Sequence, residues 1–143
     1  MCEAIVLAKY TISKCVKDGQ PVSNLQLQKI LYYIQEAFVK KDKVAFLENI
    51  EAWQFGPVVP CVYYRFSGNG SMPITTEYDV CLEKHFEQEE IRIIDFIIDE
   101  KRTLDPWVLV EETHKPGGPW DIIYRNGEGN KDIISREVIK KYS

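Results

Sequence analysis

The amino-acid sequence predicts an α+β fold: a helix-rich single domain with a small antiparallel sheet. Three observations carry this expectation. Apolar residues recur at helical spacing through the N-terminal third and again between Phe86 and Arg102. Two short stretches, Ile50 to Phe55 and Ile74 to Val80, instead carry the aromatic and β-branched residues that strands favour, the second in alternation with polar ones. These stretches do not alternate regularly with helices, so parallel βαβ wiring is not expected. With 143 residues, 45% of them hydrophobic and 28% charged, the chain suits one core, and residues 1–143 read as one domain.

The first predicted helix runs from about Cys2 to Lys17, with Ile5, Ala8, Ile12, Cys15 and Val16 on one side and Asp18-Gly19, then Pro21, as its stop. The second has the best-defined start. Ser23 and Gln26 have capping-box spacing, and Val22 and Leu27 occupy the two positions of a hydrophobic staple. Leu27, Ile30, Leu31, Ile34 and Phe38 form its apolar stripe, and Lys40 to Lys43 place positive charge at its C-terminus, where the helix dipole favours it. After the strand at Ile50 to Phe55, Pro60 suits the first turn of a short helix through Val62, Tyr63 and Phe66, ended by Ser67-Gly68-Asn69-Gly70. The helix from Phe86 to Arg102 has a broad isoleucine face that predicts a central position. Asp105-Pro106 reads as an N-cap with proline at the first helical position, so a further helix runs through Trp107 to about His114. Ser135 caps a short terminal helix through Val138 and Ile139.

Two points of punctuation stand out. Ile50 to Pro60 contains Trp53-Gln54-Phe55-Gly56-Pro57 and is followed by Tyr63-Tyr64; His114 to Trp120 contains Pro116-Gly117-Gly118-Pro119. Each joins aromatics to a forced bend, because glycine permits an unusual backbone angle and proline fixes the next. Gly56-Pro57 is expected to be architectural, a rigid corner joining sheet to helix.

Composition excludes several classes. The four cysteines, Cys2, Cys15, Cys61 and Cys81, are widely spaced with no CxxC pair, which suggests neither a disulfide framework nor a zinc site and fits reduced thiols in a cytoplasmic protein. The apolar runs are far shorter than the roughly 20 residues of a membrane span. A formal net charge of −4 disfavours nucleic acid as a partner, apart from a local basic patch at Lys40-Lys41-Asp42-Lys43. No metal or other cofactor is expected.

The run Asn24-Leu25-Gln26-Leu27-Gln28-Lys29-Ile30-Leu31-Tyr32-Tyr33, then Glu51 to Tyr63, then Thr113-His114 with Pro119-Trp120, resembles the SocA-like, or Panacea, antitoxin domain family, which includes phage-associated proteins. The resemblance spans almost the whole chain in the expected order. It implies a non-enzymatic antitoxin domain that binds and neutralises a cognate toxin, either directly or as an adaptor delivering that toxin to a cytoplasmic protease complex. The oligomeric state is left open.

Trp53, Tyr63 and Trp120 are candidates to line a recognition groove, since aromatics concentrate at the energetic centres of interfaces. Taken singly, Trp53 reads first as core, in which case its truncation to alanine costs about 3 to 5 kcal/mol. Gln28, Lys29, Tyr32, Gln35 and Glu36 form either a partner surface on the second helix or an ordinary solvated face. Glu87 to Glu90 reads as solvation. Signature or partner-binding positions are therefore Gln28, Tyr32, Trp53, Gly56, Pro57, Tyr63, His114, Pro119 and Trp120. Two alternatives remain: a small enzyme using Cys61 and His114, with Asp121 as a third member, and a DNA-binding regulator in which adjacent short helices imitate a helix-turn-helix. Against the first, the chain has only two histidines, and His114 is expected to hydrogen-bond at a helix end and orient the turn before Trp120.

Overall fold

In the computed structural model, which describes residues 1–143, the chain begins with helices α1 (Ala4–Lys17) and α2 (Asn24–Val39). A hairpin of β1 (Ile50–Trp53) and β2 (Gly56–Val58) follows, and then α3 (Pro60–Phe66). The second half contains α4 (Gln88–Lys101), α5 (Pro106–Thr113), α6 (Pro119–Tyr124), β3 (Ile133–Ile134) and α7 (Arg136–Tyr142). The three strands form an antiparallel sheet in the order β2-β1-β3. The fold is α+β, helix-rich with one small antiparallel sheet.

Helix α2 is the axis. It packs against α1, α3, α4, α5, α7 and β2. The Ser23 hydroxyl accepts from the Gln26 amide while the Gln26 side chain accepts from the Ser23 amide, and Val22 and Leu27 are both buried beside that box. The expected apolar stripe from Leu27 to Phe38 is buried, and so is most of the polar side. Gln28, Lys29, Tyr32 and Gln35 are all buried, which overturns their reading as an exposed partner face. Backbone and side-chain groups of the fold rather than solvent satisfy Gln28, Lys29 and Gln35. Gln35 donates to the Phe46 carbonyl at 2.7 Å and accepts from the Ala45 amide at 2.8 Å, so one side chain pins the crossing from α2 to the sheet. Helix α4 therefore is not the central element. It buries Ile91, Ile94 and Ile98 against α2 and leaves Phe96 in solvent. The acidic run at its start serves as a cap: the Glu90 carboxylate accepts from the Glu87 amide at 2.8 Å.

The segment from Ile74 to Val80 is not a strand. It is extended but has no strand beside it. The Ile74 amide donates to the Val22 carbonyl, and the Tyr78 amide and carbonyl are both met by the Ser13 hydroxyl of α1. A buried side chain thus replaces a ladder, and of the alternating residues only Ile74 is fully buried. The strand expected through Phe55 ends at Trp53 and turns back over Gln54-Phe55, pairing Trp53 with Gly56 and Ala52 with Pro57. The corner is a hairpin within the sheet, not a joint from sheet to helix. Proline is tolerated in β2 because this is an edge strand and because the amide and carbonyl of Ala52 both point the other way, to Asp132 and Lys131.

Candidate functional site

A cleft of about 510 Å³ opens where the β1–β2 hairpin, the first turns of α2, the α3 region, the N-terminus of α5 and the loop before β3 converge. That volume lies within the range of ligand-binding clefts. Its walls are aromatic. Trp53 meets Tyr63 edge-on at 5.0 Å between centroids, and Phe55 meets Trp107 edge-on at 5.2 Å. Phe55 and Trp107 are 45% and 56% exposed, which marks them as apolar surface without a covering partner. Tyr64, which packs against both Trp53 and Tyr63, extends this surface outward.

Each wall is held from behind. The Gln28 side-chain oxygen accepts from the Val59 amide at 2.9 Å, and its amide donates to Asn24, whose own amide donates to the Tyr63 carbonyl at 3.1 Å. Two carboxamides on α2 thereby fix both the first turn of α3 and the backbone of Tyr63. The opposite wall is fixed through the second point of punctuation. His114 stacks on Trp120 at 3.7 Å with the rings within 3° of parallel, and Trp120 stacks on Tyr124 at 4.5 Å. The Trp120 indole then donates to the Trp53 carbonyl at 2.7 Å. Pro119 opens α6 at its first position and is buried with Trp120. The His114 to Trp120 turn therefore supports the end of β1.

The floor contains a lysine. Lys29 has no solvent exposure, and its ammonium makes one hydrogen bond, to the Pro57 carbonyl at 3.2 Å. Burial pushes its pKa down from the usual lysine value to about 7, and no carboxylate offsets this. Gly56 makes room for it. A Cβ at that position would lie 2.7 Å from both Lys29 Cε and Thr113 Oγ1, and the residue has φ +112°. Pro57 contributes its carbonyl. At the rim, Lys131 extends its amine to 5.4 Å from the Trp53 ring centre. Its backbone is held at φ +68° while its amide donates to Ala52 at 2.7 Å.

Of the positions expected from the sequence, Trp53 and Tyr63 line the cleft, and Trp53 is half-buried rather than core. Gly56, Pro57 and Gln28 shape it from beneath. Trp120 is buried and lines no part of it. Tyr32 is buried in α2, its phenol pKa raised by burial and by Glu36. His114 stacks instead of hydrogen-bonding: its Nε2 is buried without a partner, and burial and the Lys29 charge lower its pKa. Trp107 and Lys131 are the contributors that sequence spacing did not single out, whereas Phe55 was legible only as part of the corner and Lys29 only as part of an exposed helix face. For Trp107 a signal existed, since a tryptophan one residue after a helix-starting proline lies in the first turn, where few core contacts are available.

The geometry offers little chemistry. No hydrogen bond joins Cys61 to His114, and burial with Glu48 and Glu3 nearby raises the Cys61 thiol pKa, opposite to the activation a nucleophile needs. The Asp121 carboxylate accepts from the Gly117 amide at 2.9 Å and so closes the turn. No group of three or more His, Cys, Asp and Glu side chains is placed to hold a metal ion. No helix is long and apolar enough to cross a membrane.

Residues 27–121 match the family described as "Antitoxin SocA-like, Panacea domain". The chain is 35% identical, over 150 aligned positions, to the protein described as "Antitoxin SocA" from Caulobacter vibrioides (strain NA1000 / CB15N), covering 97% of this chain and 79% of that protein. No solved structure matches.

Proposed function

The chain belongs to the Antitoxin SocA-like, Panacea domain family, and on that premise we propose that it is an antitoxin which captures its cognate toxin on the aromatic cleft. The observation that carries the reading is the exposure of Phe55 and Trp107 as an edge-on pair on the rim. Rigid aromatics held from behind and left open in front bind a partner at low entropic cost. The rest of the site fits. Its walls are anchored from behind by Gln28, Asn24, His114 and Trp120, so the surface is formed before the partner arrives.

Capture neutralises a toxin either by occluding it or by presenting it to a cytoplasmic protease complex. The four cysteines are free, two of them exposed, which suits a reducing cytoplasm. Co-expression with the product of the adjacent reading frame tests the reading. Growth is expected to be rescued by this chain and lost with Trp107→Ala at equal expression. Loss of the toxin in a pulse-chase during rescue identifies protease delivery, and a stable toxin held in a complex identifies occlusion. No rescue and no complex would remove the proposal.

The two alternatives have less support. A regulator would need a helix free to enter a DNA groove, and α2 is buried on most sides. An enzyme would need a nucleophile beside a base, and the Lys29 amine bonds the Pro57 carbonyl while the Ser67 hydroxyl bonds the Tyr64 carbonyl, so neither activates the other.

A further inference from the structure

We infer that the cleft recognises a carboxylate carried beside an apolar side chain, so that the toxin segment it captures is an acidic, apolar peptide. This rests on the reading of the cleft as the toxin-binding surface. The chain has 22 acidic and 18 basic residues, yet the cleft lining holds Lys29 and Lys131 and not one aspartate or glutamate. One carboxylate beside the lining, that of Glu51, is taken up by the Trp53 indole at 2.9 Å, so the lining itself reverses the overall charge.

Neither lysine has a carboxylate partner. Lys29 is fully buried, with no carboxylate in hydrogen-bond or ion-pair contact and only the Pro57 carbonyl for its three donors. A buried ammonium is costly unless its charge is offset, and a carboxylate held in the cleft above the floor would offset it through the intervening low-dielectric layer without direct contact. Lys131 keeps its amine over the rim from a backbone position outside the comfortable range of a side-chain-bearing residue, held there by its bond to Ala52. The same cleft is lined by Trp53, Phe55, Tyr63 and Trp107, which suit an aromatic or aliphatic side chain. Aromatics and lysines also suit single-stranded nucleic acid, but the net charge of −4 repels a phosphate backbone along its length, whereas a single carboxylate meets only the cleft.

The three tryptophans provide the test, because Trp53 and Trp107 line the cleft and Trp120 does not. The full-length, nitrogen-15-labelled protein is titrated with N-acetyl-phenylalanine, with N-acetyl-phenylalaninamide, and with single-stranded oligothymidylate, and the indole N–H signals are followed. The acid is expected to shift Trp53 and Trp107 saturably and more than Trp120, and to bind about tenfold more tightly than the amide. Lys131→Gln should bring the acid down to the amide, and Lys29→Met should do the same with the amide spectrum otherwise intact. Equal binding of acid and amide, no effect of Lys131→Gln, or tighter binding of the oligothymidylate would overturn the inference. Titration with the toxin separates the two layers. If the toxin shifts both indoles while the acid and the amide are equivalent, the docking surface stands and carboxylate recognition falls. If the acid is preferred but the toxin leaves both indoles unmoved, carboxylate recognition stands and the assignment to the toxin falls.

Discussion

Gly56 and Lys29 define one another, and the strongest predictions at the scale of single residues come from that pair. Alanine at position 56 places a methyl 2.7 Å from Lys29 Cε and Thr113 Oγ1 at φ +112°, so Gly56→Ala should cost at least about 2 kcal/mol in denaturant unfolding. Lys29 makes stability depend on pH. In the unfolded chain its proton stays to near the ordinary value of 10.5, but in the folded protein only to about 7. Between these values the unfolded state binds the extra proton, so stability rises with pH, with the full penalty present below 7 and gone above 10.5. The lowered pKa of His114 acts below 6.5, and the raised pKa values of the Cys2 and Cys15 thiols and the Tyr10, Tyr32 and Tyr33 phenols act in the opposite direction above about 9. The clear window is therefore roughly pH 7 to 8.5. Across it, any stability advantage of Lys29→Met over the parent should shrink by about 2 kcal/mol, and parallel curves would refute the buried amine. Glycine and proline were legible as backbone devices because their constraints are local. The buried state of Lys29 was not, since a cation on a helix is read as exposed, to a partner or to solvent, and only the tertiary fold buries it.

At the scale of elements, caps were the most legible feature and partners the least. The starts of α2, α5 and α7 fall where Ser23, Asp105 and Ser135 cap them, each side chain accepting from an amide two or three residues on. Ser23→Ala should accordingly cost about 1 kcal/mol. Gln35→Leu should cost more, about 2 to 4 kcal/mol, because it strands the buried Ala45 amide and Phe46 carbonyl at once. Thermal or denaturant unfolding checks both, and the reverse order would contradict the role given to Gln35. Strands were harder to read, because pairing is decided by residues far away. Ile74 to Val80 has the alternation of a strand but meets Ser13, whereas Ile133-Ile134, too short to show any alternation, joins the sheet beside Ile50 and Glu51. Helix α6 was missed for a related reason. Pro116-Gly117-Gly118-Pro119 was legible as a break, but its last proline also begins a helix.

For the molecule as a whole, aromatics that hold the fold are distinct from aromatics that face outward. Trp120 belongs to the first kind, and Trp120→Ala should destabilise by about 3 to 5 kcal/mol. Trp107 belongs to the second, and Trp107→Ala should change stability by less than about 1 kcal/mol. Half-buried Trp53 lies between them, at about 1 to 2 kcal/mol, below the loss expected of a core tryptophan. The sequence motifs located both kinds but did not sort them, since burial depends on which element lies behind each ring. The most direct test of the cleft as the toxin-docking surface is calorimetric titration of the adjacent-frame toxin into the parent protein, Trp107→Ala and Phe96→Ala, the last altering an exposed aromatic on α4 outside the cleft. Trp107→Ala is expected to weaken binding by roughly thirtyfold or more while Phe96→Ala leaves it within about twofold. Unchanged affinity for Trp107→Ala, or a loss confined to Phe96→Ala, would contradict it.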